Sequence, residues 1–406
     1  MPILVQKFGG TSLSTAEARA LVIEHIQDAL QQLFQVVVVV SAMGRKGEPY
    51  ATDTLLELVR SNGNRLPDRE KDMLLACGEI ISAATMCSLL QAAGISAVAL
   101  TGGQAGIVTN AVFGDARIVS IDTSRIKKLL NEGHVVIVTG FQGKTADDDF
   151  TTLGRGGSDT SATALGAALK AEYVDIFTDV NGILTADPRI VEDAKPLEQV
   201  SYTEICNMAH NGAKVIHPRA VEVAMQAGIP IRVRSTFSKD TGTLVASSDV
   251  LRGDAKQVHD KFVTGIAHFP HVTQVQVTRS DHTHYDMSLQ VFKAMAQHRI
   301  SVDLINVTPS GVAYTVFDHV ADKAEEIIRS LGFEPKLLRG CAKVSVIGGG
   351  MSGVPGIMAY IVEALAKEDI PILQSADSNA TIWVLVPGDH MADAVRALHK
   401  TFELHK

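Results

Sequence analysis

Five consecutive valines, Val36 to Val40, constrain this chain more than any other stretch. A strand with one wet face alternates apolar and polar residues, whereas an unbroken β-branched run is covered on both faces. That pattern belongs to a parallel sheet with helices above and below it. The run ends in Ser41-Ala-Met-Gly44, and the same kind of ending recurs. Leu4 to Phe8 runs into Gly9-Gly10-Thr11-Ser12, Ala97 to Leu100 into Thr101-Gly-Gly103, and Val135 to Val138 into Thr139-Gly140. Val174 to Phe177 leads likewise into Thr178-Asp179. Polar and glycine residues therefore gather beyond the C-terminal ends of buried strands, where open α/β sheets bind ligands. Lys7 stands at one such end, where a lysine is costly to hold unless it faces an anion.

A glycine-rich turn sharpens this reading. In Thr151-Thr-Leu-Gly-Arg-Gly-Gly-Ser-Asp-Thr160, three glycines allow a sharp bend and close approach to a ligand. Ser158 and Asp159 suit a helix N-cap, and the small residues from Ala162 to Ala168 suit the helix. Free N–H groups in its first turn favour an anion, and Arg155 could hold a carboxylate with two parallel hydrogen bonds. The expected ligand is an anionic small molecule. A dinucleotide fingerprint fails because Asp159 stands where the third glycine belongs. Gly143-Lys144-Thr145 ends like a P-loop, but Val138 occupies the position of its first glycine.

Composition narrows the class without naming a reaction. A chain of 406 residues predicts two or three domains, and 46% hydrophobic with 20% charged residues describes a globular protein. A formal charge of −8 argues against a nucleic-acid surface. The first strand starts at Ile3 without a charged leader, and the apolar runs fall short of a membrane span, so no signal peptide and no membrane are expected. Cys77, Cys87, Cys206 and Cys341 show no C-x-x-C spacing, so reduced thiols and a cytoplasmic location are expected. His282 and His284 read as an exposed loop rather than a metal site.

Strands and helices alternate to about residue 240, and residues 241–260 read as a linker with Lys239-Asp-Thr-Gly242 as a turn signal. Two copies of a strand–helix–strand–strand–helix pattern follow. The first, over 270–340, closes with a strand from Glu334 to Leu338. The second, over 341–406, ends without a closing strand. The apolar strand within residues 261–269 is expected to complete the second copy's sheet, since an open edge would invite non-native pairing.

Lys7-Phe-Gly-Gly-Thr-Ser12, Ser41-Ala-Met-Gly44, Gly78-Glu79, Gly154 to Thr160, Phe177 to Gly182, Thr185 to Arg189 and Ala213 to Arg219 form an ordered set that resembles the aspartate kinase family. The remainder resembles the tandem ACT regulatory domains of that family. The resemblance implies an α/β fold: an open, mostly parallel three-layer kinase domain followed by two α+β ferredoxin-like domains. It implies ATP with Mg²⁺, no protein-only metal site, and L-aspartate as acceptor. Transfer to a carboxylate needs no general base, because the nucleophile is already ionised; it needs charge neutralisation and alignment. In that light Lys7, Arg155 and Asp159 are the expected catalytic group, Asp159 orienting Lys7 or helping to hold Mg²⁺. Ser41, Thr52, Asp53, Glu79, Arg155 and Ser158 are expected around aspartate, with Glu79 on its ammonium. Lys7, Phe8, Gly9, Gly10, Thr178, Asp179, Asp187, Arg189 and Lys214 are expected around the nucleotide. Asp179 and Asp187 also read plainly as turn caps. An effector (lysine, threonine or diaminopimelate) is expected near Asp303, Asn306, Gln374, Ser375, Asn379 and Thr381, and a homodimer through the ACT domains. The alternatives are a catalytically silent amino-acid-binding protein, or another amino acid kinase acting on glutamate or acetylglutamate.

Overall fold

The five valines lie inside an eight-stranded sheet, each at 1% exposure or less. The computed structural model describes the whole chain except residues 61–62, 64–65, 214, 254–261, 279–286 and 352, and the side chains of 252 and 253. Contacts divide it into two units. The first comprises Met1–Ile183, Pro196–Ala209 and Lys214–Gln257; the second comprises Leu184–Lys195, His210–Ala213 and Val258–Lys406.

In the first unit, the strand Ile3–Phe8 pairs in parallel with Gln35–Val40 on one side and Tyr173–Thr178 on the other. Val135–Thr139 and then Ala97–Leu100 extend the sheet beyond the valines, and Ile231–Ser235 extends it beyond Tyr173–Thr178, all in parallel. Parallel strands present all their C-terminal ends on one side, so every expected polar turn faces the same edge. The long helix Asp68–Ala92 covers Ala97–Leu100 and Val135–Thr139. With a mean hydropathy of 1.8 over eighteen residues it is apolar and long enough to cross a membrane, contrary to the sequence expectation. Its buried face carries Asp72 and Glu79, however, as a core helix can and a lipid-facing one does not.

Two parts of this unit differ from expectation. A second, four-stranded sheet forms from Ile118–Ile121, Ile107–Thr109, Gln142–Lys144 and Phe150–Thr152. All four of its strands are only three or four residues long and carry no periodic signal. The expected linker 241–260 is also corrected in part. Thr243–Ala246 joins the main sheet antiparallel to Ile231–Ser235, and Ser248–Gly253 is helical.

The second unit is built on two long antiparallel strands, Gly265–Thr278 and Pro335–Ile347. Sequence reading breaks each into two. The first runs through Pro270, which lacks an N–H; the register shifts between Phe269 and Val272, and a bulge is where a sheet tolerates proline. Gly265 to Phe269 pairs with Lys343 to Ile347, so the strand ahead of the first repeat completes the second repeat's half of the sheet. Gly311–Phe317 and Asp303–Thr308 extend one edge; Thr381–Pro387 and Gln374–Ser378 extend the other. Separate apolar cores lie under the two halves, one around Val275, Tyr314 and Ile328, the other around Val344, Ile361 and Leu398.

Candidate active site

At the C-terminal ends of the central strands, expected residues from strands, turns and two helices meet in one connected cluster. Lys7 Nζ is 2.7 Å from Asp159 Oδ1, with both side chains almost buried. Gly9 and Gly10 follow Lys7, and Gly10 packs so closely that a Cβ would lie 2.6 Å from the Gly44 carbonyl oxygen and 2.8 Å from that of Ala42. The Gly44 N–H donates to the Gly10 carbonyl at 3.0 Å, and the Ser41 N–H to that of Phe8 at 3.1 Å. This fixes the Ser41–Gly44 turn over the lysine strand. The Ala42 N–H in turn donates to Glu79 Oε1 at 3.0 Å.

Glu79 is 2% exposed, and its second oxygen has no hydrogen-bond partner among the described residues. Burial pushes its carboxyl up to about 8, against the opposing pull of the Ala42 N–H. Such a carboxyl is protonated at neutral pH until a cation comes beside it.

The glycine-rich turn holds Asp159 in place. The helix is Gly157–Leu169 and its N-cap is Gly156, with no side-chain cap; Ser158 and Asp159 fall inside the first turn rather than at the cap, which corrects the sequence reading. Gly156 has φ +67°, and a Cβ there would lie 2.1 Å from the His217 ring. A helix start without a side-chain cap leaves first-turn N–H groups for an anion. The turn is anchored from behind. Arg219 donates to the carbonyls of Leu153 (2.7 Å) and Ala116 (2.9 Å), and buried Asp72 accepts from the Thr152 N–H at 2.7 Å and the Gly114 N–H at 2.9 Å. Burial raises the Asp72 carboxyl.

The remaining expected residues divide. Ser158 is nearly buried against Gly140, and Arg155 is exposed, with no ion-pair partner among the described residues. Thr52 and Asp53 open the helix Thr52–Arg60, Thr52 half-buried and Asp53 exposed. The Phe8 side chain is fully buried and stacked on Phe177 at 4.6 Å, so only its backbone can face a nucleotide. Thr178 and Asp179 end their strand at the same edge, and Asp179 pairs with Arg45 at 2.5 Å. Asp187 and Arg189 lie in the second unit, where Arg189 clamps Asp187 at 2.6 Å and lowers its pKa, and the Asp187 carboxylate also caps its own turn through the Arg189 N–H. Lys214 lies outside the described residues, as do His282 and His284.

Sequence reasoning misses Arg45, Asp72 and Arg219. Arg45 had an available signal, a cation directly after a Gly44 turn that ends a buried strand. Arg219 stands in the Ala213 to Arg219 motif without a role of its own, and Asp72 has no signal; their partners are backbone groups 66 and 80 residues away.

In the second unit, the expected effector residues are unequal. Asn306, Ser375 and Asn379 are exposed. Asp303 is bonded to buried Lys343, and the Gln374 amide binds the Leu304 carbonyl and the Gln274 amide. Thr381 is fully buried and its side chain cannot meet a ligand at the surface.

Comparisons with known proteins place the chain in a family. Residues 2–235 match the amino acid kinase family and residues 337–400 an ACT domain. The chain is 53% identical to aspartokinase 1 of Bacillus subtilis over 406 residues, covering both chains in full. It is 41% identical to an aspartokinase of Geobacillus stearothermophilus, covering all of this chain and 98% of the other. Its structure is similar to that of E. coli aspartokinase III in complex with aspartate and ADP, with a TM-score of 0.80 at 26% identity over 98% and 99% of the two chains.

Proposed function

The chain belongs to the aspartokinase family, and we propose that the Lys7–Asp159 cluster is where it transfers the γ-phosphoryl group of ATP to the side-chain carboxylate of L-aspartate. The observation that carries the assignment is the pairing of a lysine at a strand end with an aspartate in the first turn of an uncapped helix.

The reaction yields 4-phospho-L-aspartate and ADP, and opens lysine, threonine and methionine biosynthesis. Its transition state spreads negative charge over the transferring phosphoryl oxygens. Lys7 supplies the cation that meets this charge, and Asp159 holds the ammonium in position until the phosphate takes its place. The backbone N–H groups at Gly9, Gly10 and the start of the Gly157–Leu169 helix add dipoles aimed at the same charge. Mg²⁺ arriving with ATP would add further neutralisation; the carboxylates of Asp159 and Asp179 are the oxygen donors that fit it. Glu79 receives the ammonium of aspartate, Arg155 its α-carboxylate, and Ser41 and Ser158 line the pocket; Thr52 and Asp53 border it. Thr178, Asp179 and Lys214 serve the nucleotide. Because Glu79 is neutral when alone, aspartate binding drives a proton off it, so substrate affinity rises with pH as the solution nears 8.

The second unit is the regulatory part. One of the similar solved structures is E. coli aspartokinase III with lysine and aspartate in a T-state. For this chain an amino-acid effector is proposed at the exposed Asn306, Ser375 and Asn379, with homodimerisation through this unit and a cytoplasmic location. The decisive assay traps the acyl phosphate as a hydroxamate with L-aspartate and MgATP. Hydroxamate with aspartate and none with glutamate is expected; folded protein that makes none with aspartate contradicts the assignment.

A further inference from the structure

Three side chains with metal-ligating atoms meet in the second unit, apart from every residue assigned above. His399 lies on the helix Met391–Thr401, His405 follows it, and Asp193 belongs to the segment Leu184–Lys195. One ligating atom from each lies within 4.8 Å of the other two. His399 is 2% exposed, and its Nδ1 is 4.0 Å from the Asp193 carboxylate. The three line a cavity of about 580 Å³.

We propose that Asp193, His399 and His405 form a binding site for a divalent transition metal, with Zn²⁺ the best match. Two imidazoles and one carboxylate make a ligand set that Zn²⁺ takes readily, leaving a fourth position for water. Mg²⁺ and Ca²⁺ prefer oxygen donors throughout and fit it poorly.

Ligand atoms around a tetrahedral Zn²⁺ stand about 3.3 Å apart, so the gap between His399 and Asp193 must close by about 0.7 Å. The mobility needed is in the right places. The Asp193 side chain is 68% exposed and His405 is half-buried, so both can turn. His399 is the fixed member, held by Thr185 Oγ1 at 2.9 Å from Nε2. The same hydroxyl oxygen accepts from the Lys195 N–H at 3.0 Å, which ties it to its own segment. With Nε2–H donating to Thr185, the Nδ1 lone pair faces Asp193, the arrangement in which metal-bound histidines are usually held.

The plainer account is a His399–Asp193 pair with the proton on Nδ1. At 4.0 Å that contact is too long for a hydrogen bond, and it gives His405 no part. The nearby cations do not close the site. Arg396 is engaged by Asp393 at 2.6 Å and by the Ile190 carbonyl, and the cavity wall carries the acid Glu192 as well as Lys400.

The test uses the full chain, stripped of metal with a chelator and kept free of nucleotide. Titration with Co²⁺ should give visible d–d absorption that saturates at one equivalent, and Zn²⁺ should displace it. Asp193→Asn and His405→Gln should each weaken binding at least about tenfold, while circular dichroism shows the fold retained. Both replacements are at accessible positions, so they avoid the folding risk of replacing buried His399. His282→Ala with His284→Ala should leave binding unchanged. No saturable Co²⁺ binding, unchanged binding in Asp193→Asn and His405→Gln, or loss only in the His282/His284 variant would each overturn the site.

Discussion

In the first unit, Glu79 is buried with one oxygen bonded to the Ala42 N–H and the other without a partner among the described residues. In the second, Lys343 is equally buried, yet its ammonium is bonded to Asp303 and lies 5.5 Å and 5.9 Å from the ring centres of Phe269 and Trp383. Burying a charge without a partner is expensive, so a group left in that state marks a place where something else supplies the partner. The sheets follow the same logic. The parallel sheet directs its strand ends and their orphan N–H groups to one edge. The antiparallel sheet of the second unit satisfies its central strands on both sides, and its polar side chains, Gln274, Gln276 and Gln374, bond to one another. One unit leaves a buried carboxyl incomplete at its working edge; the other pairs its buried ammonium and leaves only the neutral hydroxyls of Tyr314 and Thr381 without a hydrogen-bond partner among the described residues.

The sharpest way to break this contrast is Lys7→Ala. If Lys7 meets charge that develops in the transition state, kcat should fall about 10³-fold while KM for aspartate changes little. Steady-state kinetics decide it, and a rise in KM at unchanged kcat would move Lys7 from transfer to binding.

Gly156→Ala comes next. At φ +67° and with a Cβ 2.1 Å from the His217 ring, the turn cannot keep its shape. A loss of about 2 kcal/mol or more is expected. Thermal unfolding measures it, and an unchanged melting temperature would mean that the turn is not the fixed platform described.

The smallest effect is expected in the second unit. Lys343→Met removes a buried ammonium, and the Asp303 side chain, 60% exposed, stays in water. Stability should move by no more than about 1 kcal/mol, since such a pair roughly balances its own desolvation. Denaturant titration reads this, and a loss several times larger would show the ion pair to be a structural keystone.

What was legible in the sequence follows the same division. The valine run and its relatives have no reading other than buried parallel strands, so the sheet and its edge of polar turns could be placed in advance. Lys7, Glu79 and Asp159 could be singled out because charge in such places is costly. The second sheet escaped because strands such as Gln142–Lys144 are too short for periodicity to register. The helix start was misplaced by two residues because Gly156, in the left-handed region, does the capping that Ser158 and Asp159 seemed suited for. The strand that sequence reading divides at residues 269 and 270 runs on through Pro270 with a shift of register. Sequence reading places Phe8 at the nucleotide with its neighbours, although strand alternation turns its ring into the core against Phe177. Local pattern reports burial; it does not report which backbone, 66 or 80 residues away, receives a side chain.

The most direct test of the account is the protonation state of Glu79, read from the carboxyl carbon resonance of ¹³C-glutamate-labelled protein and assigned with Glu79→Gln. A group whose folded value of about 8 lies above its unfolded value binds a proton that the unfolded chain releases. Its contribution to stability is complete below the unfolded value, near 4.5, and is lost as pH rises toward 8, so Glu79→Gln should gain stability relative to the parent over that window. In the resonance itself, Glu79 should be protonated at pH 7 without ligand and ionised once L-aspartate is added, with KM for aspartate raised in Glu79→Gln and KM for ATP unchanged. A carboxylate already ionised at pH 6 without ligand, or one indifferent to aspartate, would contradict the account.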